Sequence, residues 1–138
     1  MGFKKHQFRS KNDAMNRAKR FHACLDCRYS QPKIFKECPH CGSRNRQYFM
    51  SESELKRGMM LLTLQQAGTI SRLRFQPGFV LHANGKRLGK YIADFDYYRD
   101  GDYIVEDVKG SEDHMTELAR WKMKHFSAEY GTEVLITT

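Results

Sequence analysis

The chain has 138 residues, a length that suits one compact domain with a small appendage, and its 24 Lys and Arg against 16 Asp and Glu give a net charge of +8. It has no apolar run of about 20 residues and no apolar secretory signal, so we expect neither a membrane span nor export. In the reducing cytoplasm expected for such a chain, its four cysteines predict metal ligands rather than disulfides.

The positive charge is concentrated at the start of the chain. Residues 1–50 carry 12 Lys and Arg against 3 Asp and Glu, whereas residues 51–138 carry 12 against 13. Lys and Arg release counterions from phosphates, so a basic segment of this kind predicts a nucleic-acid partner. A solvated, solubilising arm is the alternative for residues 1–20, which contain little apolar sequence.

Residues 21–50 contain the cysteines in the spacing C-x2-C-x10-C-x2-C. Two such knuckles place four thiolates around one Zn²⁺, and a site with four thiolates is closed, so we predict a structural zinc ribbon. His40 lies between two ligands and is expected to be exposed rather than coordinating. The predicted zinc ligands are Cys24, Cys27, Cys38 and Cys41. Whether the ribbon contacts DNA or only folds this part of the chain stays open. The candidate DNA contacts are Arg28, Lys33, Lys36, Arg44 and Arg46.

The sequence of residues 51–138 indicates that they form the main folded domain. A capping box, Ser51 to Glu54, opens a helix that Gly68 ends. Strand-like runs follow, and Asn-Gly and Asp-Gly turns mark hairpins. These runs are 70–76, 78–82, 91–98 and 103–108. A second helix over 112–130, with Leu118 and Trp121 in its apolar part, precedes a final strand over 133–137. The predicted class is α/β (α+β), with a main order of αβββαβ and a sheet packed by helices.

The hairpin around Asp100-Gly101 carries more acids than its turn requires. Because side chains alternate along a strand, Asp107 and Lys109 share a face, and the hairpin can bring Asp94 beside them. Two carboxylates and a lysine at a strand end suit phosphodiester cleavage, because hard oxygen ligands hold Mg²⁺ or Mn²⁺ next to a phosphate. Glu54, at the start of the first helix, is expected to supply a third carboxylate to this metal.

Each of these residues has a simpler alternative. Glu54 can act only as a helix cap, and Lys109 can act only as a partner of a carboxylate. Glu106 is expected to face away from the site, as a surface acid or as the partner of a helix cation. Asp96 shares the face of Asp94 but lacks a motif. Trp121 is expected in the core, with a base-stacking platform as the alternative.

The pattern of Asp94 followed by Asp107-Val108-Lys109 resembles the signature of PD-(D/E)xK nucleases. The wider sequence resembles small phage-encoded proteins grouped with those endonucleases and akin to archaeal-type Holliday-junction resolvases, over residues 51–137. The segments that carry the resemblance are S-x-x-E (51–54), AGTIS (67–71), FQPGF (75–79), YIADFDY (91–97), VEDVKG (105–110), WKMKHF (121–126) and EYG (129–131). A zinc ribbon before the core and a longer stretch after Gly110 depart from that family.

The resemblance implies a restriction-endonuclease-like core in residues 51–138. It implies a catalytic set of Glu54, Asp94, Asp107 and Lys109, with Gln76 and Lys122 as accessory substrate contacts. We therefore expect a metal-dependent DNA endonuclease acting on branched or junction DNA, in a host-cell cytoplasm if the chain is phage-encoded. A homodimer is plausible for such a core. The alternatives are a non-catalytic zinc-ribbon nucleic-acid-binding protein and an RNA-processing nuclease.

Overall fold

The structure is a computed structural model that describes residues 20–109 and 115–138. The chain forms two compact units, divided between Glu52 and Ser53. The predicted basic arm lies outside the described residues, apart from Arg20. Across the described ranges, no helix is both long enough and apolar enough to cross a membrane.

The first unit contains a sheet of three short antiparallel strands. The central strand, β1 (Phe21–Cys24), pairs with β2 (Ser30–Gln31) on one side and with β3 (Arg46–Phe49) on the other. Its buried cluster consists of Cys24, Phe35 and Cys38. An apolar cluster of this size gives little stability on its own, so the cysteines have to contribute to holding the unit together.

The second unit is built on a mixed sheet of four strands, and the predicted α+β class is confirmed. Its elements are α1 (Glu52–Gln66), β4 (Ser71–Phe75), β5 (Gly78–Ala83), β6 (Lys86–Ile92), β7 (Phe95–Arg99), β8 (Asp102–Val108), α2 (Glu117–Tyr130) and β9 (Val134–Thr137). The sheet order is β4-β7-β8-β9, with β9 parallel to β8 and the other pairs antiparallel. The β5–β6 hairpin is a separate sheet inserted between β4 and β7. Without that hairpin, the elements follow the order αβββαβ.

The single strand predicted over 91–98 is wrong. The Asn84-Gly85 turn, at which both residues have positive φ, sends the chain back along β5 as strand β6. This strand ends at Ile92, and Ala93 and Asp94 then carry the chain into β7 of the larger sheet. The apolar alternation across 91–98 therefore belongs to two strands of two sheets, which local sequence cannot distinguish.

Gln76 lacks the extended backbone that is usual for a residue before proline, because its φ is 52°. Gln76 lies where the chain leaves β4, and its backbone N–H donates to the carbonyl of Asp94 at 2.9 Å. The N–H of Ala93 donates to the carbonyl of Pro77 at 3.0 Å. These two bonds join the segment between β4 and β5 to the segment between β6 and β7. The pairing of these distant segments overrides the extended backbone that a residue before proline usually adopts.

Helix α2 starts later than predicted. Thr116 is its N-cap and accepts from the N–H of Ala119 at 3.1 Å, while residues 112–114 lie outside the described residues. Its end at Gly131 is confirmed by a left-handed φ of 67° and an N–H bond to the carbonyl of Ser127. Phe126 is its buried residue, and the core position expected for Trp121 is wrong because that side chain is 59% exposed.

The two helices contact opposite faces of the four-stranded sheet. On one face, Val105 of β8 packs with Phe126 of α2 in a buried cluster that includes Leu81, Tyr91 and Ala93. On the other face, the neighbouring Glu106 bonds to Arg57 of α1. Successive side chains of a strand point to opposite faces of the sheet. Glu106 therefore points toward α1, whereas Val105 and Asp107 point to the face that α2 covers.

Candidate functional site

The four cysteines of the first unit converge on one point. Their sulfur atoms all lie within 4.8 Å of one another, with Cys24 Sγ 3.6 Å from Cys41 Sγ and Cys27 Sγ 3.6 Å from Cys38 Sγ. Four thiolates at about 2.3 Å from a tetrahedral Zn²⁺ are about 3.8 Å apart, whereas a disulfide requires about 2.05 Å. The four thiols can therefore hold a metal such as zinc.

Backbone groups support this geometry at both knuckles. The N–H of Cys27 lies 3.5 Å from Cys24 Sγ, and the N–H of His40 lies 3.4 Å from Cys38 Sγ. Such N–H groups stabilise the thiolate charge and fix the direction of the sulfur lone pairs. His40 is exposed and stands outside the cysteine group, as predicted; its ring stacks on Tyr29 at 6.1 Å.

The predicted DNA contacts of the ribbon are exposed, but two of them have partners in their own unit. Arg44 forms an ion pair with Glu37 at 2.9 Å, and Arg46 donates to the carbonyl of Phe35 at 2.5 Å. Arg28, Lys33 and Lys36 also lie on the surface. Arg46 is thus partly occupied in holding the loop between the cysteine pairs, which lowers its expected contribution to a nucleic-acid interface.

Asp94 and Asp107 meet where β6, β7 and β8 come together. Asp107 Oδ1 accepts from the backbone N–H of Asp94 at 2.9 Å, and Asp94 Oδ2 accepts from the N–H of Val108 at 2.7 Å. Backbone N–H groups therefore hold each of the two carboxylates in place, close to the other one. Asp107 and not Glu106 points to this side of β8, so the predicted register is confirmed.

Tyr91 completes the environment of Asp107. Its hydroxyl donates to Asp107 Oδ2 at 2.6 Å, and both side chains are buried. Burial raises the pKa of Tyr91, and the neighbouring negative charge of Asp107 raises it further, so the phenol remains a proton donor. Both oxygens of Asp107 thus accept a hydrogen bond, which fixes the orientation of the carboxylate. Sequence reasoning missed Tyr91, although it lies in the quoted segment YIADFDY.

Lys109 and Glu54 flank this pair. The ammonium of Lys109 lies 4.0 Å from Asp107 Oδ2. Glu54 is 5% exposed, and its charge raises the pKa of Asp94, which places the two carboxyl groups near each other. The structure therefore brings Asp94, Asp107 and Lys109 together, with Glu54 near enough to Asp94 for their charges to interact.

The three carboxylates form a looser group than the cysteines. Among the described residues, the cysteine group is the only one in which at least three His, Cys, Asp or Glu ligand atoms all lie within 4.8 Å of one another. Carboxylate oxygens are the ligands that Mg²⁺ and Mn²⁺ prefer, so Glu54, Asp94 and Asp107 are the residues that could hold such an ion.

Burial and the neighbouring carboxylates increase the proton affinity of Asp94. Burial raises the pKa of its carboxyl to about 7, the charges of Glu54 and Asp107 add to the effect, and the N–H of Val108 opposes it. In the unfolded chain the pKa is near 3.8. The folded protein therefore binds this proton more tightly, and the associated stability is complete below about pH 4 and lost as the pH rises through about 7.

Replacing Asp94 by Asn is expected to remove this loss of stability. Without added Mg²⁺ or Mn²⁺, the free energy of unfolding of the wild type should fall by about 1 kcal/mol more than that of Asp94→Asn between about pH 6 and pH 8. Urea denaturation of zinc-loaded protein measures the difference. Asp102→Asn, an exposed acid of the same hairpin, is the control and should follow the wild type. Parallel pH profiles for wild type and Asp94→Asn would contradict the assignment.

A cavity of about 230 Å³ opens beside Asp107 and Lys109. Lys122, a predicted substrate contact, lines it and donates to the carbonyl of Lys90 at 3.2 Å. Lys90 also lines the cavity. Its side chain passes over Gly78, and a Cβ atom at position 78 would collide with that side chain. The glycine of the FQPGF segment therefore leaves room for a third lysine that sequence reasoning missed. Gln76, the other predicted accessory residue, is not among the residues lining this cavity.

The two remaining acids of the hairpin are used in structural pairs. Glu106 is fully buried and pairs with Arg57, while Tyr97 donates to it at 2.6 Å. Of the two roles expected for Glu106, the partner of a helix cation is confirmed and the surface acid is wrong. Asp96 is also buried, and it pairs with Arg74 and accepts from Tyr103 at 2.6 Å. A buried carboxylate needs such a partner, so both are accounted for without a catalytic role.

These features define a mixed α+β protein with a group of four cysteines that can hold a metal and a separate cluster of carboxylates and lysines. The chain belongs to the family described as "Protein of unknown function (DUF1064)", which it matches over residues 43–137. The four cysteines precede the matched segment, whereas the carboxylate cluster lies inside it. No curated protein and no solved structure matches the chain.

Proposed function

We propose that this protein is a metal-dependent DNA endonuclease that hydrolyses phosphodiester bonds. The observation that carries the proposal is the fixed carboxylate of Asp107, with the Lys109 ammonium 4.0 Å from its Oδ2 and a lysine-lined cavity beside both. A carboxylate that is held by two donors and faces a cavity able to bind a phosphate is suited to phosphoryl transfer.

Each side chain of the site would have its own role in the reaction. Glu54, Asp94 and Asp107 would hold Mg²⁺ or Mn²⁺, which, when bound, lowers the pKa of a water and offsets charge on the phosphorane-like transition state. Tyr91 and the N–H of Asp94 keep Asp107 oriented, so that no reorganisation is required during the reaction. Lys109 would position the attacking water or neutralise a phosphate oxygen. This mechanism needs no covalent bond between enzyme and substrate.

The proposed substrate is a nucleic acid because Lys and Arg are abundant around the cavity and in the first third of the chain, and DNA rather than RNA follows from the analogy with restriction-endonuclease-like cores. Lys90, Lys109 and Lys122 surround the cavity, and residues 1–50 supply a further excess of Lys and Arg. The zinc ribbon would anchor this basic segment. We propose a restriction-endonuclease-like core for the second unit, in keeping with its αβββαβ order, and by analogy with such cores branched or junction DNA is the proposed substrate.

The proposal is tested by incubating zinc-loaded protein with end-labelled single-stranded, duplex, flap and four-way-junction DNA. We expect cleavage with added Mg²⁺ or Mn²⁺ and none without it, with a preference for branched substrates. An RNA strand of the same sequence tests the RNA-processing alternative, and preferred cleavage of RNA would replace DNA as the substrate. If purified protein cuts no substrate with either ion but still binds DNA, the protein is a non-catalytic binding protein.

A further inference from the structure

Helix α2 carries two large apolar side chains that the fold leaves in solvent. Trp121 is 59% exposed and Leu118 is 64% exposed, and they lie three residues apart on one side of the helix. The helix already packs against the sheet through Phe126, so these two residues are not needed for its docking. Adjacent exposed apolar side chains of this size are typical of a binding surface.

Helix α2, which carries these side chains, and strand β6, which lines the cavity with it, have a positive excess, although residues 51–138 taken together have none. Strand β6 has three cations and no acid, and α2 has three cations against two acids. The cations are Lys86, Arg87 and Lys90 on β6 and Arg120, Lys122 and Lys124 on α2. Four acids of this unit are buried, at Glu54, Asp96, Glu106 and Asp107. The cations of β6 and α2 therefore favour a polyanion.

The ring of Trp121 is supported on one side. It packs on the ring of His125, with centroids 5.3 Å apart, and His125 Nε2 lies 2.7 Å from the carbonyl oxygen of His82, to which its N–H can donate. This bond ties the imidazole to β5. Because Trp121 remains mostly exposed, it can accept a planar group without first giving up contacts in the core.

Trp121 is also next to the candidate site along the chain. Lys122 follows it directly, lines the cavity beside Asp107, and bonds to the carbonyl of Lys90 on β6. A nucleic-acid strand with a phosphate at Lys122 would have a neighbouring base close to the Trp121 ring. Aromatic rings beside a cationic path are the usual means of binding single strands, since every base has a face that can stack.

We propose that Trp121, Leu118, Lys90 and Lys122 form a surface that binds a single-stranded segment of the DNA substrate, with one unpaired base stacked on Trp121. The adjoining phosphate is held by Lys122 and Lys90. A base inside an intact duplex has both faces covered, so this surface selects DNA with unpaired nucleotides next to the cleavage point. The inference rests on the proposed nuclease function and narrows its substrate to branched or flapped DNA.

Trp121 is the single tryptophan of the chain, so its fluorescence reports on this surface alone. Zinc-loaded protein without added Mg²⁺ or Mn²⁺ is titrated with a short oligothymidylate and with a hairpin duplex of equal length. We expect the oligothymidylate to quench the emission and the duplex to leave it nearly unchanged. Binding measured by anisotropy of labelled DNA should show about a tenfold loss of single-strand affinity in Trp121→Ala and little change in duplex affinity.

Two variants separate stacking from general loss of structure. Trp121→Phe keeps an aromatic face and should retain most of the single-strand affinity, whereas Met60→Ala, a similarly exposed apolar position on helix α1, should have little effect. Equal losses for single strand and duplex in Trp121→Ala, or no quenching by the oligothymidylate, would overturn the proposal. So would an emission that changes with protein concentration alone, because a second copy would then cover the ring. The quenching needs no catalysis, so a protein that shows it without cutting DNA refutes only the nuclease function.

Discussion

Replacement of Asp107 by Asn is expected to lower the rate of DNA cleavage by about 10³-fold or more. The change removes the charge that would hold the metal and keeps the shape of the side chain, although the amide nitrogen can no longer accept one of the two hydrogen bonds that Asp107 receives from Asp94 N–H and Tyr91 OH. A metal supplies several kcal/mol of transition-state stabilisation, and each 1.4 kcal/mol is about tenfold in rate. Single-turnover cleavage of the best substrate in the presence of Mn²⁺ measures the effect, and Asp107→Ala should be at least as inactive.

Asp102→Asn is the matched control, because this acid lies on the same strand but is exposed in the turn. It should cleave at the wild-type rate. Lys109→Met should lose activity with little change in metal affinity, since the lysine is placed to act on water or phosphate rather than on the ion. Circular dichroism and urea denaturation establish that each variant is folded. Equal cleavage by wild type and by folded Asp107→Asn would refute the site assignment, even if the protein is a nuclease.

Removal of zinc is expected to unfold the first unit. Structural zinc contributes about 10–16 kcal/mol of folding free energy in small zinc domains at neutral pH, far more than the buried cluster of Cys24, Phe35 and Cys38 can supply. We expect about one zinc per chain, and loss of that zinc in a variant with both Cys38 and Cys41 replaced by Ser. Elemental analysis gives the stoichiometry, and amide exchange over residues 20–52 reports the unfolding.

His40→Ala is the control for this experiment, because His40 lies between the ligands without joining their group. It should keep its zinc and its protection from exchange. The second unit has its own core around Val105 and Phe126, so its protection should survive the loss of zinc. Protein that contains no zinc but still protects the amides of β1 and β3 would show that the metal is not needed for the fold.

Local sequence was sufficient wherever one short segment contains the whole structural cause. The C-x2-C pairs turn the backbone around a metal, and their sulfur atoms converge as the spacing predicts. Gly131 ends helix α2 because it can adopt a positive φ. Alternation along β8 placed Asp107 and Lys109 on one face and Glu106 on the other, and the observed partners follow that division.

The tertiary structure decided everything that depends on residues distant in the chain. Six acids in 94–107 look equivalent in sequence, and only Arg57 and Arg74, which come from other elements, show that Glu106 and Asp96 belong to buried ion pairs. Tyr91 and Lys90 join the site because the β5–β6 hairpin delivers them there, although the sequence suggested one strand over 91–98.

The periodicity of α2 placed Trp121 in the core, whereas the structure leaves it in solvent. The sequence by itself therefore determined the metal-binding pattern, the turns and the faces of single strands, because these depend on local geometry. The tertiary structure decided which carboxylates are paired with arginine and which are not, because that choice depends on cations brought in across the sheet.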